Sequence, residues 1–221
     1  MDNDESLVAS LPAIAQLALA YAPRRARART LALLALDARL ATLIRRSSEP
    51  MLAQLRLAWW REAVEGDPGR WPSGEQLLLA IRSWDEDREG LIALVNGWEA
   101  LTAPSPLGEG ALTGFAEGRA KAFAALARVS SCHQDAKAAE VLGRIWAFED
   151  LAMRLGRADE HNTALALAVA QPVRLPRVSR PLRPLRVLAG LARRRRKAGG
   201  DAGASSPGAV LEALKLGLLG L

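Results

Sequence analysis

The chain has 221 residues and a mass of 23.7 kDa, half of them hydrophobic and about a quarter charged, with 18 Gly and 12 Pro, which allows a sizeable core and excludes global disorder or a collagen-like repeat. The one cysteine, Cys132, excludes an internal disulfide and no paired Cys and His spacing points to structural zinc, so a reducing compartment is expected. The net charge of +6 hides an asymmetry: residues 1–170 hold 19 basic against 22 acidic residues, net −3, and residues 171–221 hold 11 against 2, net +9, so an anionic partner would meet the tail.

The start, Met1 to Glu5, is acidic where a secretory leader is basic, so no export signal is expected. Leu, Ala, Arg and Glu dominate, and apolar residues recur at three and four without sustained alternation, which predicts an all-α protein. A first helix is expected over about residues 6–21, stopped by Pro23; its most apolar part, Leu11 to Ala22, is interrupted by Pro12 and Gln16 and is too short to span a membrane. A second runs from about Arg24 to Arg46 on the stripe Leu33, Leu36, Leu40, Leu43 and Ile44. Pro50 suits the first turn of a third helix, expected to present Leu52, Leu55, Trp59 and Ala63 as one face up to the turn Gly66 to Gly69. Helices follow at about 74–84, 86–101, 111–130 and 134–156, the last carrying Val141, Ile145, Phe148 and Ala152, and a short one at about 160–170. Pro172, Pro176, Pro181 and Pro184 then interleave with arginines ahead of an amphipathic helix, Leu185 to Lys197. Gly199 to Gly208 has a linker's composition, and Val210 to Leu221 is an apolar turn, either docked or frayed. Residues 1–198 are thus expected as a helical domain and 199–221 as linker and short C-terminal segment.

Two stretches are more specific than generic helix: LALLALDARLATLI at residues 31–44 followed by SEPMLAQLRLAWWRE at 48–62, and LPRVSRPLRPLRVL at 175–188. Together they resemble the squalene/phytoene synthase family, particularly its shorter, divergent bacterial members, over most of residues 7–195. The resemblance implies an isoprenoid-synthase-like helical bundle around a central cavity. There, two aspartate-rich helices hold magnesium, which clamps the diphosphates of two prenyl substrates through hard oxygen ligands. The first aspartate motif of the family falls on Ala41, Thr42 and Arg45, with Asp37 alone one turn earlier. The second falls on Phe148 to Gly156, where Asp150 lies near an asparagine position and Arg154 takes the main aspartate position. Charge is inverted at both ends of the implied cavity. The family's mitochondrial branch, which acts in assembly of respiratory complex I, has similarly degraded motifs.

The candidate substrate-binding residues are Asp37, Arg45, Arg56, Trp60, Asp150 and Arg154; no catalytic or metal-binding residue is assigned. Asp150 and Arg154 are either an ion pair on a solvated face or part of the cavity. Arg45 either caps the second helix with Arg39 and Arg46 or binds an anionic head group directly. Arg56 and Trp60 share one side of the third helix, where arginine would meet a diphosphate or carboxylate; the alternative packs Trp59 in the core and leaves Trp60 at the boundary. Glu149, Asp150 and Asp159 are spread too widely by helix geometry to form a metal cluster. Adjacent Cys132 and His133 lack an orienting carboxylate, and His161 belongs to a helix start.

These observations lead to a degenerate, non-catalytic member of that family, whose cavity or surface binds a prenyl lipid or a protein partner, with assembly of a respiratory complex as a precedent. The cavity is expected between the second, third, sixth and seventh helices. No cofactor is expected, and magnesium would be required only under the alternative, an active enzyme joining two prenyl diphosphates head to head. A cytoplasmic location is expected, with peripheral attachment to an anionic inner-membrane surface through Arg193, Arg194, Arg195, Arg196 and Lys197; nucleic acid is the less favoured partner.

Overall fold

The computed structural model describes residues 3–47, 49–84, 87–199 and 207–219, and every regular element among them is helical. The fold is all-α. The first expected helix is two: α1 (Asn3–Ser10) and α2 (Ala13–Ala20) meet at a corner where Pro12 adopts an extended backbone. Proline lacks the N–H that would continue the helix, and its ring clashes with the preceding turn. The corner becomes a wall of the main pocket.

α3 (Arg24–Arg46) has the expected bounds. Leu, Ala and Arg favour helix at nearly every position, no Gly or Pro interrupts it, and it ends where Ser47 turns extended. α4 (Pro50–Glu65) starts on Pro50, but its buried face is Ala53, Leu57, Trp60 and Val64, a helical step away from the face expected. Leu52, Leu55 and Trp59 lie in solvent with Met51.

The centre is a pair of long helices, α7 (Glu109–Val129) and α8 (Ala136–Arg154), with α6 (Glu89–Ala100) against α7 and α9 (Ala158–Val169) and α10 (Arg183–Lys197) against α8. Short α5 (Gln76–Ile81) covers α3. Cys132 and His133 lie in the connection from α7 to α8. Burial, with Asp135 adding to it, raises the Cys132 thiol above its ordinary pKa, the reverse of an activated nucleophile. α11 (Pro207–Leu214) continues into a π-helical turn, Lys215–Leu219, and both dock on α10. Most of the expected linker, residues 200–206, lies outside the described residues. No helix among the described residues is long and apolar enough to cross a membrane.

Glycines set how close α6, α7 and α8 come. A Cβ on Gly118 would stand 2.5 Å from the Ala93 carbonyl oxygen and 2.7 Å from the Gly97 Cα, both rigid backbone of α6. A Cβ on Gly143 would stand 2.8 Å from the Arg119 carbonyl oxygen. Gly118→Ala is therefore expected to destabilise by about 1–3 kcal/mol through overpacking, read as a lowered denaturant midpoint. Exposed Gly74, with nothing near its Cβ position, is the control and should tolerate alanine.

Candidate functional site

The main pocket holds about 540 Å³ and lies between the α1–α2 corner, α3, α8 and α10. That volume is in the range of roughly 300–1,000 Å³ usual for small-ligand sites. Its apolar wall includes Leu11, Ile14, Leu34, Ala41, Met153 and Leu188, and Trp146 closes one side. The expected surround is corrected here: α4 and α7 contribute nothing to this lining, and α10 and the α1–α2 corner take their place beside α3 and α8. The pocket's polar end is built from Asp37 and Arg45 on α3, Glu149, Asp150 and Arg154 on α8, and Arg195 on α10.

Arg119 of α7 organises that end from behind. Only 1% exposed, its Nε and Nη2 donate to the two Asp37 carboxylate oxygens at 2.9 and 2.8 Å, and its Nη1 donates to Asp150 Oδ2 at 3.1 Å. The Trp98 indole N–H donates to Asp37 Oδ1 at 3.0 Å, and Arg154 Nε to Asp150 Oδ1 at 2.7 Å. The guanidinium stands 3.8 Å from the Trp146 ring centroid and 4.5 Å from that of Phe115, so aromatic faces shield it where water does not reach. Burial alone would raise the Asp150 carboxyl, but Arg119 and Arg154 outweigh it and hold its pKa below the ordinary aspartate value.

Glu149, fully buried, accepts from Arg193 Nε at 3.0 Å and also from Arg196 Nε. Two members of the basic run are thereby turned inward, and Arg193 also donates to the Val173 carbonyl at 2.7 Å. Lys197 is exposed. Among the described residues three arginines line the pocket, three more hold its carboxylates from behind, and those carboxylates are three, so basic groups outnumber acidic ones at this end. Such an end favours an anionic group.

Of the six candidate residues, Asp37, Arg45, Asp150 and Arg154 converge on this pocket. The Asp150–Arg154 pair is real and sits at the pocket rather than on a solvated face, for Asp150 is buried. Arg45, at the last turn of α3, donates to Thr42 Oγ1 at 3.1 Å. Arg56 and Trp60 belong elsewhere, to a groove of about 280 Å³ along the next strip of α3 with Arg39, Arg46 and Trp59. The two tryptophans exchange the places expected: Trp60 is 4% exposed, edge-on to Trp59, which is 44% exposed. His161 lies in α9, away from the pocket lining.

Arg119 is the residue that sequence reasoning missed, and Glu149, weighed there only as a metal ligand, is the one whose pairing it missed. Arg119 falls four residues from both Phe115 and Phe123, a charge in the middle of an apolar stripe, and that was the available signal.

Magnesium, which the resemblance would bring, does not fit the carboxylates as arranged. Each oxygen of Asp37 and Asp150 already accepts an N–H, and the space between the two side chains is filled by a guanidinium. Asp159, exposed and paired with Arg157, stands apart. Among the described residues no group of three metal-ligating side chains assembles. No protein family, no curated protein and no solved structure matches this chain.

Proposed function

We propose that the chain is a non-catalytic binding protein for an anionic amphiphile, an isoprenoid or other lipid with a phosphate or carboxylate head. It would be built on a bundle like that of the squalene/phytoene synthases. The supporting observation is the bridge Asp37–Arg119–Asp150 at the polar end of an apolar-walled pocket. A tethered guanidinium occupies the position between two carboxylates, so these two are held together without a metal, and Arg45 stands on the lining where a ligand's head would meet it. An apolar chain then lies along Ile14, Leu34 and Met153.

The test is binding of farnesyl phosphate and geranylgeranyl diphosphate by calorimetry, with EDTA or with magnesium. Equal affinity in both is expected, with no squalene, phytoene or cyclopropyl product. Arg45→Gln should weaken binding about ten-fold or more, since a hydrogen bond to a charged group contributes roughly 1.5–3 kcal/mol. Magnesium-dependent binding, or any condensed product, would instead favour the prenyltransferase.

The groove along α3 and α4 favours a second reading, a protein partner as in respiratory-complex assembly. Met51, Leu52, Leu55 and Trp59 are exposed together beside exposed Arg46 and Arg56, which complements an acidic amphipathic helix. Loss of a co-purifying partner on Arg56→Glu, with lipid binding unchanged, would carry that reading.

A further inference from the structure

α11 docks with a small face and leaves a large apolar one outside. Ala209, Ala213 and Leu216 are buried, while Val210, Leu211, Leu214 and Leu218, at helical spacing, face solvent and Lys215 is exposed beside them. Leu216 packs on Gly190 of α10, where any Cβ would collide with it.

Arg186 precedes Gly190 by four residues and so lies on the same strip of α10. It is 5% exposed, and neither its Nε nor its Nη1 finds an acceptor among the described residues. Arg183, nearly one turn earlier, spends its Nη1 on the carbonyls of Gly217 and Leu218, and its Nε is likewise unmet. Desolvation, then Arg177 and Arg183, disfavour the charge on Arg186, and among the described residues Glu212 of α11 acts against them. Among the described residues three cations thus converge with a single carboxylate where α11 sits, and buried guanidinium nitrogens without acceptors are costly. The charge at this corner is incomplete, and the apolar face next to it indicates the kind of surface that completes it. The basic run at residues 193–197 is less suited, because Arg193 and Arg196 already hold Glu149.

We propose that this corner docks the protein on an anionic phospholipid surface. The face Val210, Leu211, Leu214 and Leu218 enters the boundary between head groups and acyl chains, and Arg177, Arg183 and Arg186, with Lys215, meet lipid phosphates. Amphipathic helices with basic neighbours bind bilayers in this way, apolar area and charge acting together. As α11 moves outward into the interface it gives up its alanine contacts and the packing of Leu216 on Gly190, and the Arg186 Nε and Nη1 gain acceptors that they lack among the described residues. The site is separate from the main pocket and does not depend on what the pocket holds.

The experiment is flotation of the full chain with vesicles of phosphatidylcholine, with or without phosphatidylglycerol. Flotation with the anionic vesicles alone, falling as salt rises, is expected. Leu211→Ser/Leu214→Ser/Leu218→Ser, all exposed positions, should abolish it. Arg186→Met should reduce vesicle affinity about five-fold, the equivalent of the roughly 1 kcal/mol that one basic residue contributes near an anionic surface. The same variant should keep or raise the melting temperature, because an unmet buried charge is removed, so that weaker flotation cannot come from unfolding. Equal flotation on neutral vesicles, wild-type flotation by Arg186→Met, or dimerisation through α11 without vesicle binding would each overturn the proposal. So would phosphate protection of the corner in a chain that never floats.

Discussion

Arg119→Ala is expected to be among the most damaging single substitutions in the chain, with a loss of about 3–5 kcal/mol, because it leaves buried carboxylates without their shared partner. For a chain of this size each kcal/mol corresponds to about 2–4 °C in melting temperature. Asp37 would keep only the Trp98 N–H and Asp150 only Arg154, and the aromatic box of Trp98, Phe115 and Trp146 would lose the group that it encloses. The damage comes from uncompensated charge, so Arg119→Met/Asp37→Asn/Asp150→Asn should recover most of the loss, since a buried ion network replaced by neutral groups of similar shape is often tolerated. A triple variant as unstable as Arg119→Ala would show that shape, rather than charge, holds this centre.

The pH dependence between pH 7 and 5 should also change. In the wild type the Asp150 pKa is depressed by Arg119 and Arg154, so its stabilising contribution is complete above the ordinary aspartate value of about 3.9 and is lost as pH falls through the lower folded value. Without Arg119, the burial of Asp150 is opposed by Arg154 alone, so its carboxyl rises from its wild-type position, and relative to the wild type the variant should gain stability as pH is lowered from 7 toward 5. Denaturant midpoints across that interval measure the slope; equal slopes in both proteins would remove Arg119 from the account.

How far the sequence exposed this architecture depended on how unambiguous each local signal was. α3 could be bounded to the residue because Pro23 precedes an uninterrupted run of helix formers. α4 could not be oriented, because two stripes fit its period. Leu52, Leu55 and Trp59 look more like a core than Ala53, Leu57, Trp60 and Val64, yet tertiary packing selects the second set. The break at Pro12 was visible as a residue but not as a corner, since proline is also tolerated in a helix's first turn.

At the site, Asp37 and Asp150 could be named because each stood out near a motif position, and 113 residues of chain separate what the fold brings together. Arg119 connects them from a third helix, and no local pattern on α3 or α8 points to α7. α8 is buried nearly all round at Trp146 to Ala152, so its polar residues there must all be paired. Reading Glu149 and Asp150 as demands for partners, instead of as possible ligands, would have pointed to two clusters of arginine.

Arg193→Gln/Arg196→Gln is the other substitution expected to have a large effect, again about 3–5 kcal/mol, by leaving Glu149 charged, fully buried and alone. These residues look like a surface charge run of the kind whose exposed pairs contribute about 0–1 kcal/mol. The difference arises because α10 lays this turn against α8, where Glu149 is out of reach of water. Adding Glu149→Gln should restore most of the lost stability, and urea unfolding of the double and triple variants measures it. The same burial governs how membrane binding is tested. Neutralising residues 193–197 together would lower vesicle binding by unfolding the pocket wall even if none of them touched a lipid. Lys197→Gln, exposed and outside the Glu149 pair, therefore isolates the charge effect: unchanged stability is expected, with a loss of vesicle affinity no larger than about five-fold for one surface cation. A double variant as stable as the wild type would mean that the contacts of Arg193 and Arg196 with Glu149 do not hold this turn of α10 against α8.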